Sequence, residues 1–69
     1  MMDTIAVKGS IIRCKNAYCE MNITVLKDTK IMYDSTLEEF KLVSVPTSTV
    51  YASIPEDEFI GVAGNTRFE

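Results

Sequence analysis

Apolar and polar residues alternate along most of this 69-residue chain, and turn-forming residues break the alternation at short intervals. A period of two places one set of side chains on each face of a strand, so the pattern reads as short, half-buried β-strands. Asp3 to Lys8 is the first, with Ile5 and Val7 on one side, and Gly9 stops it. Ser10 to Lys15 is the second, ending at Asn16-Ala17, and a third begins at Tyr18. Folding these two strands about Asn16-Ala17 sets Cys14 against Cys19, Arg13 against Glu20 and Ile12 against Met21. Ile12, Cys14, Cys19, Met21 and Ile23 then share one face, while Arg13 and Glu20 form an opposite-charge pair on the other. A four-residue loop from Lys15 to Tyr18 keeps the same register and spares Ala17 a positive φ.

The run Met21 to Tyr33 reads as a hairpin turning at Lys27-Asp28-Thr29. A two-residue loop would oppose Lys27 and Lys30 and split the apolar residues between faces. A three- or five-residue loop instead pairs Val25 with Ile31 and Ile23 with Tyr33, continuing the apolar face of the preceding strands. The expectation is a three-strand meander centred on this run.

Ser35 with Glu38 three residues on has the form of a capping box, and Leu37 with Phe40 suits one helical turn. Phe40 to Val45 alternates again, Pro46-Thr47-Ser48 is turn chemistry, and Thr49 to Ile54 is the return strand. A three-residue loop opposes Leu42 to Ala52 and Phe40 to Ile54, and leaves Val43 and Tyr51 together on the other face. Pro55-Glu56-Asp57-Glu58 suits a single 3₁₀ or α turn, with its acids near the positive end of the dipole. Phe59 to Ala63 is a last short strand, Gly64-Asn65 a turn, and Thr66 to Glu69 a tail that frays or pairs with a neighbour.

The expected fold is a single all-β domain: a small barrel or curled meander of six to seven short strands, with one or two single helical turns. Several short strands followed by a helical turn just before a final strand resembles the layout of an SH3-type barrel, and equally of an OB-like barrel. Layout implies a fold and no function, so no residue role is carried over.

Composition narrows the picture little. At 46% hydrophobic and 25% charged residues, the chain is an ordinary globular sequence rather than a disordered or fibrous one. Its apolar runs fall far short of the roughly 20 residues of a membrane span. Met1-Met2-Asp3-Thr4 has neither the basic start nor the apolar stretch of a signal peptide, so the expectation is a cytoplasmic protein with no membrane association. The net charge of −3 is uneven: residues 1–34 carry +1 and residues 35–69 carry −4. An acidic face of this kind either keeps the protein soluble or meets a basic partner.

Chemistry is sparse. Cys14 and Cys19 supply half a tetrahedral zinc shell, and there is no His to complete it. Facing each other they suit a cross-strand disulfide, and a reducing compartment leaves them as small core residues. Without His the commonest general base is missing, and acids adjacent in sequence, as at Glu38-Glu39, rarely converge on one substrate. The expectation is therefore a non-enzymatic chain with no cofactor and no metal. Lys15 beside Tyr18, with Arg13 and Lys8 nearby, is a fragment of a single-stranded nucleic-acid platform, yet acidity argues against that use. The favoured expectation is a protein-interaction module that binds another protein, itself basic, with self-association the simplest version. Its candidate partner-binding residues are Val43 and Tyr51, an exposed apolar patch, and Glu56, Asp57 and Glu58, an acidic one. Size, acidity and the lack of catalytic residues suit an accessory or inhibitor protein of a phage or other mobile element.

Overall fold

The computed structural model describes residues 3–68 and holds eight strands. They are β1 (Thr4–Ala6), β2 (Ile11–Lys15), β3 (Glu20–Thr24), β4 (Thr29–Asp34), β5 (Glu39–Ser44), β6 (Thr49–Pro55), β7 (Phe59–Ala63) and β8 (Thr66–Phe68). Glu56–Glu58 form a single 3₁₀ turn between β6 and β7. All pairings are antiparallel, in a five-stranded sheet ordered β6-β5-β4-β1-β8 and a three-stranded sheet ordered β3-β2-β7. The tail from Thr66 is the eighth strand and pairs with β1; Glu69 lies outside the described residues. Among the described residues no helix is long and apolar enough to cross a membrane.

The hairpin expected over Met21–Tyr33 does not form. β3 and β4 lie in different sheets, with β3 bonded to β2 and β4 to β1 and β5. The reason appears in the register. Ile11 lies opposite Thr24 and Ala6 opposite Thr29, the same number of steps on each side. Residues 4–15 and 20–31 are thus one long hairpin, bent midway so that its base joins one sheet and its tip the other. A two-residue offset also corrects the tip: Cys14 faces Met21, Ile12 faces Ile23, and Asn16–Cys19 form the loop. The offset is even, so Ile12, Cys14, Met21 and Ile23 keep their common face. Cys19 leaves that face for the exposed loop, and both thiols are free. Asn16 organises the loop: its Oδ1 accepts the amides of Tyr18 at 2.8 Å and Cys19 at 2.9 Å. Arg13 and Glu20 still form an ion pair, now diagonally across the strands.

The bend is built from backbone groups. Gly9 adopts a φ of 93° and donates to the Val25 carbonyl at 2.9 Å, while the Val25 amide donates to Ser10 at 3.0 Å. β7 and β8 turn the same corner at Gly64, with φ 116°. A Cβ at Gly64 would lie 3.1 Å from the Ser10 Cα, so close passage as well as backbone conformation demands glycine there. The Ser10 hydroxyl, buried beside it, donates to the Asn65 carbonyl at 2.6 Å. Asp28 closes the corner from outside. Its carboxylate accepts the Lys8 amide and the Arg67 guanidinium, each at 2.9 Å, and its carbonyl accepts the Val45 amide.

The two sheets enclose Ala6, Ile12, Cys14, Val25, Ile31, Leu42 and Ile54. Ala6, rather than Ile5, faces this cluster. Ile5 is fully buried on the opposite face, in the cross-strand row of Lys30 and Arg67. The pairs Leu42–Ala52 and Phe40–Ile54 form as expected, but the β5–β6 loop has four residues and a bulge at Tyr51 absorbs the extra one. The Ser35–Glu38 segment is a turn rather than a helical one. Asp34, one residue before the expected cap, accepts the Thr36 and Leu37 amides, and Glu38 takes a φ of 53°.

Two outcomes test the corner. Gly64→Ala should destabilise the protein by about 1–3 kcal/mol and Gly9→Ala, with open space around it, by less, as read by urea unfolding. The Asp28 carboxyl is held below the ordinary carboxylate value, first by the Lys8 amide and then by Arg67. A depressed folded pKa contributes stability above the unfolded value near about 4, and that contribution is lost as pH falls through the folded value. The melting-temperature gap between the parent and Asp28→Asn should therefore be full at neutral pH and narrow as the medium is acidified below that range.

Candidate functional site

Between the inner faces of the two sheets lies a groove with a volume of about 400 Å³. Ile31, Tyr33, Phe40, Phe59 and Val62 form its apolar walls, with Asp3, Thr4 and Thr66 at its margin. The volume falls within the range of sites that enclose a small ligand or a large side chain. Strand alternation explains the lining. Tyr33 and Phe40 are cross-strand partners on the inner face of β4 and β5, and Phe59 begins β7 opposite Cys14. The rings form a continuous series: Tyr33 and Phe40 centroids lie 5.0 Å apart at 53°, and Phe40 and Phe59 stack at 4.3 Å and 28°.

Carboxylates gather at the Tyr33 end. The Tyr33 hydroxyl donates to Glu56 Oε2 at 3.1 Å. The Glu56 amide donates to the Glu38 carbonyl at 3.0 Å, which docks the 3₁₀ turn against the β4–β5 loop. Partial desolvation, then the hydrogen bond to Glu56, and then the charges of Glu56, Glu38 and Asp34 push the Tyr33 phenol above its ordinary range. Asp34 is itself held low, chiefly by the Leu37 amide, and has Lys41 at 3.5 Å.

The expected site residues are divided by this geometry. Glu56 stands at the aromatic groove, whereas Asp57 and Glu58 face a separate hollow shared with Lys15, Asn16 and Ala17. Val43 and Tyr51 do not form one patch, because the bulge pairs Val43 with Val50. Val43 lies on the outer face of the large sheet in a shallow hollow with Met32, Lys41 and Val50. The Tyr51 hydroxyl instead lies 2.6 Å from the buried Thr29 Oγ1, whose own proton goes to the Lys27 carbonyl. The Tyr51 ring carries the Lys27 ammonium 5.4 Å from its centroid and borders a groove with Ile23, Val25 and Leu26. Of the basic fragment, Arg13 is paired with Glu20, and Lys8 stands at the corner while Tyr18 stands on the β2–β3 loop.

Tyr33, Phe40 and Phe59 were assignable to the core from alternation alone. Nothing in that pattern separates a ring sealed between sheets from one lining a groove between them. Tyr33, 48% exposed, is the clearest instance. No family model, characterised protein or solved structure matches the chain.

The Tyr33 environment is open to measurement. Glu56→Gln should lower the pH at which Tyr33 ionises, followed by ultraviolet titration against a Tyr33→Phe reference. The fall should be partial, since desolvation, the largest cause, remains.

Proposed function

We propose that this chain is a non-enzymatic protein-interaction module, and that it receives an apolar side chain from a basic segment of another protein in the groove between its sheets. The observation that carries this reading is the meeting of three aromatic rings with a carboxylate rim: Asp3 lines the groove and Glu56 accepts the Tyr33 hydroxyl, with the charges of Glu38 and Asp34 acting on Tyr33. Rings supply a desolvated anchor site, where interfaces concentrate their energy, and the rim selects the charge of what surrounds the anchor. The same rim opposes a phosphate backbone, which disfavours the nucleic-acid alternative. Two sheets sharing bent strands, with a 3₁₀ turn before β7, support a partly open SH3-like barrel as the scaffold. Asp57 and Glu58 extend the acidic surface beyond the groove and add to steering rather than to anchoring. A small accessory or inhibitory role fits a module of this kind.

The test is a titration of isotope-labelled protein with a pool of short peptides that alternate lysine with valine, isoleucine or phenylalanine. Shifts should concentrate at Tyr33, Phe40, Phe59 and Val62 and fade as ionic strength rises. Glu56→Lys should weaken binding by about tenfold, a change of about 1.4 kcal/mol. Shifts scattered over the surface, or unaltered in Glu56→Lys, would dismiss the groove.

A further inference from the structure

The four sheet edges are β3, β6, β7 and β8. Folded proteins blunt such edges, because a row of unpaired amides and carbonyls is a template for another strand. Three of the four carry a device of this kind. β6 has the bulge at Tyr51 and ends at Pro55; β7 has a bulge at Ile60; β8 spans only three residues. β3 has none of these. Its five residues, Glu20-Met21-Asn22-Ile23-Thr24, pair with β2 in unbroken register and contain no proline.

The polarity of β3 is also symmetric about Asn22: polar, apolar, polar, apolar, polar. An antiparallel pair of two such strands centred on Asn22 sets Met21 of one copy against Ile23 of the other, twice. It sets Glu20 against Thr24 twice and Asn22 against Asn22 on the axis. No like charges oppose each other, and each Glu20 already has its own Arg13. Beyond the strand ends, Tyr18 and Leu26 stand in the bends that bound β3, one at each end of the edge. Tyr18 and Leu26, at 96% and 81% exposure, are the most exposed of the large hydrophobic side chains among the described residues. One two-fold operation thus occupies the unblunted edge and sets the Tyr18 bend of one copy beside the Leu26 bend of the other.

We propose that β3 is a dimerisation strand whose partner is the β3 of a second copy of this chain, joined antiparallel about Asn22 into a six-stranded sheet. The assembly is independent of the aromatic groove, since β3 lines no part of it.

Light scattering on size-exclusion fractions across a concentration series should give twice the chain mass. Asn22→Asp places two carboxylates face to face on the axis and should raise the dimer dissociation constant at least about tenfold. Leu26→Glu and Tyr18→Glu should do the same, with circular dichroism unchanged because both side chains stand in solvent. In a Cys19→Ser background, Asn22→Cys should cross-link to a covalent dimer under mild oxidation, a readout that needs no loss of stability. A monomer at every concentration overturns the proposal. So does a dimer that withstands all three substitutions, or one in which Asn22→Cys stays reduced.

Discussion

The corner shared by three chain segments is the constraint on which the rest of this molecule depends. One hairpin, residues 4–15 against 20–31, is folded across its own middle, and β7–β8 follows it round. Both sheets therefore inherit their register from the same set of bonds at Gly9, Ser10, Val25 and Asn65. The core needs no other alignment. Once Ala6 and Ile12 are placed on either side of the bend, Ile31 and Leu42 follow through β1 and β4, and Val62 through β2. Asp28 ties the segments from outside with a carboxylate and a carbonyl, so one side chain and its own backbone link the turn after β1, strand β8 and the residue after β5.

The groove lies between the two sheets, where side chains are half-covered rather than sealed. Tyr33, Phe40 and Phe59 occupy that zone and stack on each other as much as on the core. The acidic rim arises at strand ends and connections. Asp34 ends β4, Glu38 belongs to the β4–β5 turn and Glu56 to the 3₁₀ turn, and a backbone hydrogen bond joins the two turns.

What could be read from the chain was local. Strand positions follow from alternation, and the β5–β6 pairs Leu42–Ala52 and Phe40–Ile54 follow because their partners are close in sequence. The Met21–Tyr33 hairpin was misleading for the same reason. Its apolar pattern suits a local turn, but β4 finds β1, more than twenty residues away, and alternation does not encode that choice. The even offset at Cys14 was invisible too, since it changes partners without changing faces. At Tyr51 a bulge reversed the expected face, and the extra loop residue that requires it is a matter of turn geometry. Of the site, the acidity of Glu56 was legible, but its proximity to Tyr33 depends on how two loops meet in space.

The position of β1 has a consequence for how the protein reaches this state. It lies between β4 and β8, so its two neighbours come from the middle and the far end of the described chain. Until Thr66–Phe68 arrives, one side of β1 is an open edge and the corner lacks both Asn65 and Arg67. A chain emerging residue by residue can assemble the β4–β5–β6 meander early, yet β1 gains its second neighbour last. Contacts of such long sequence separation are entropically costly to close and slow to form. A copy without Thr66–Phe68 therefore presents a strand edge that β8 otherwise covers.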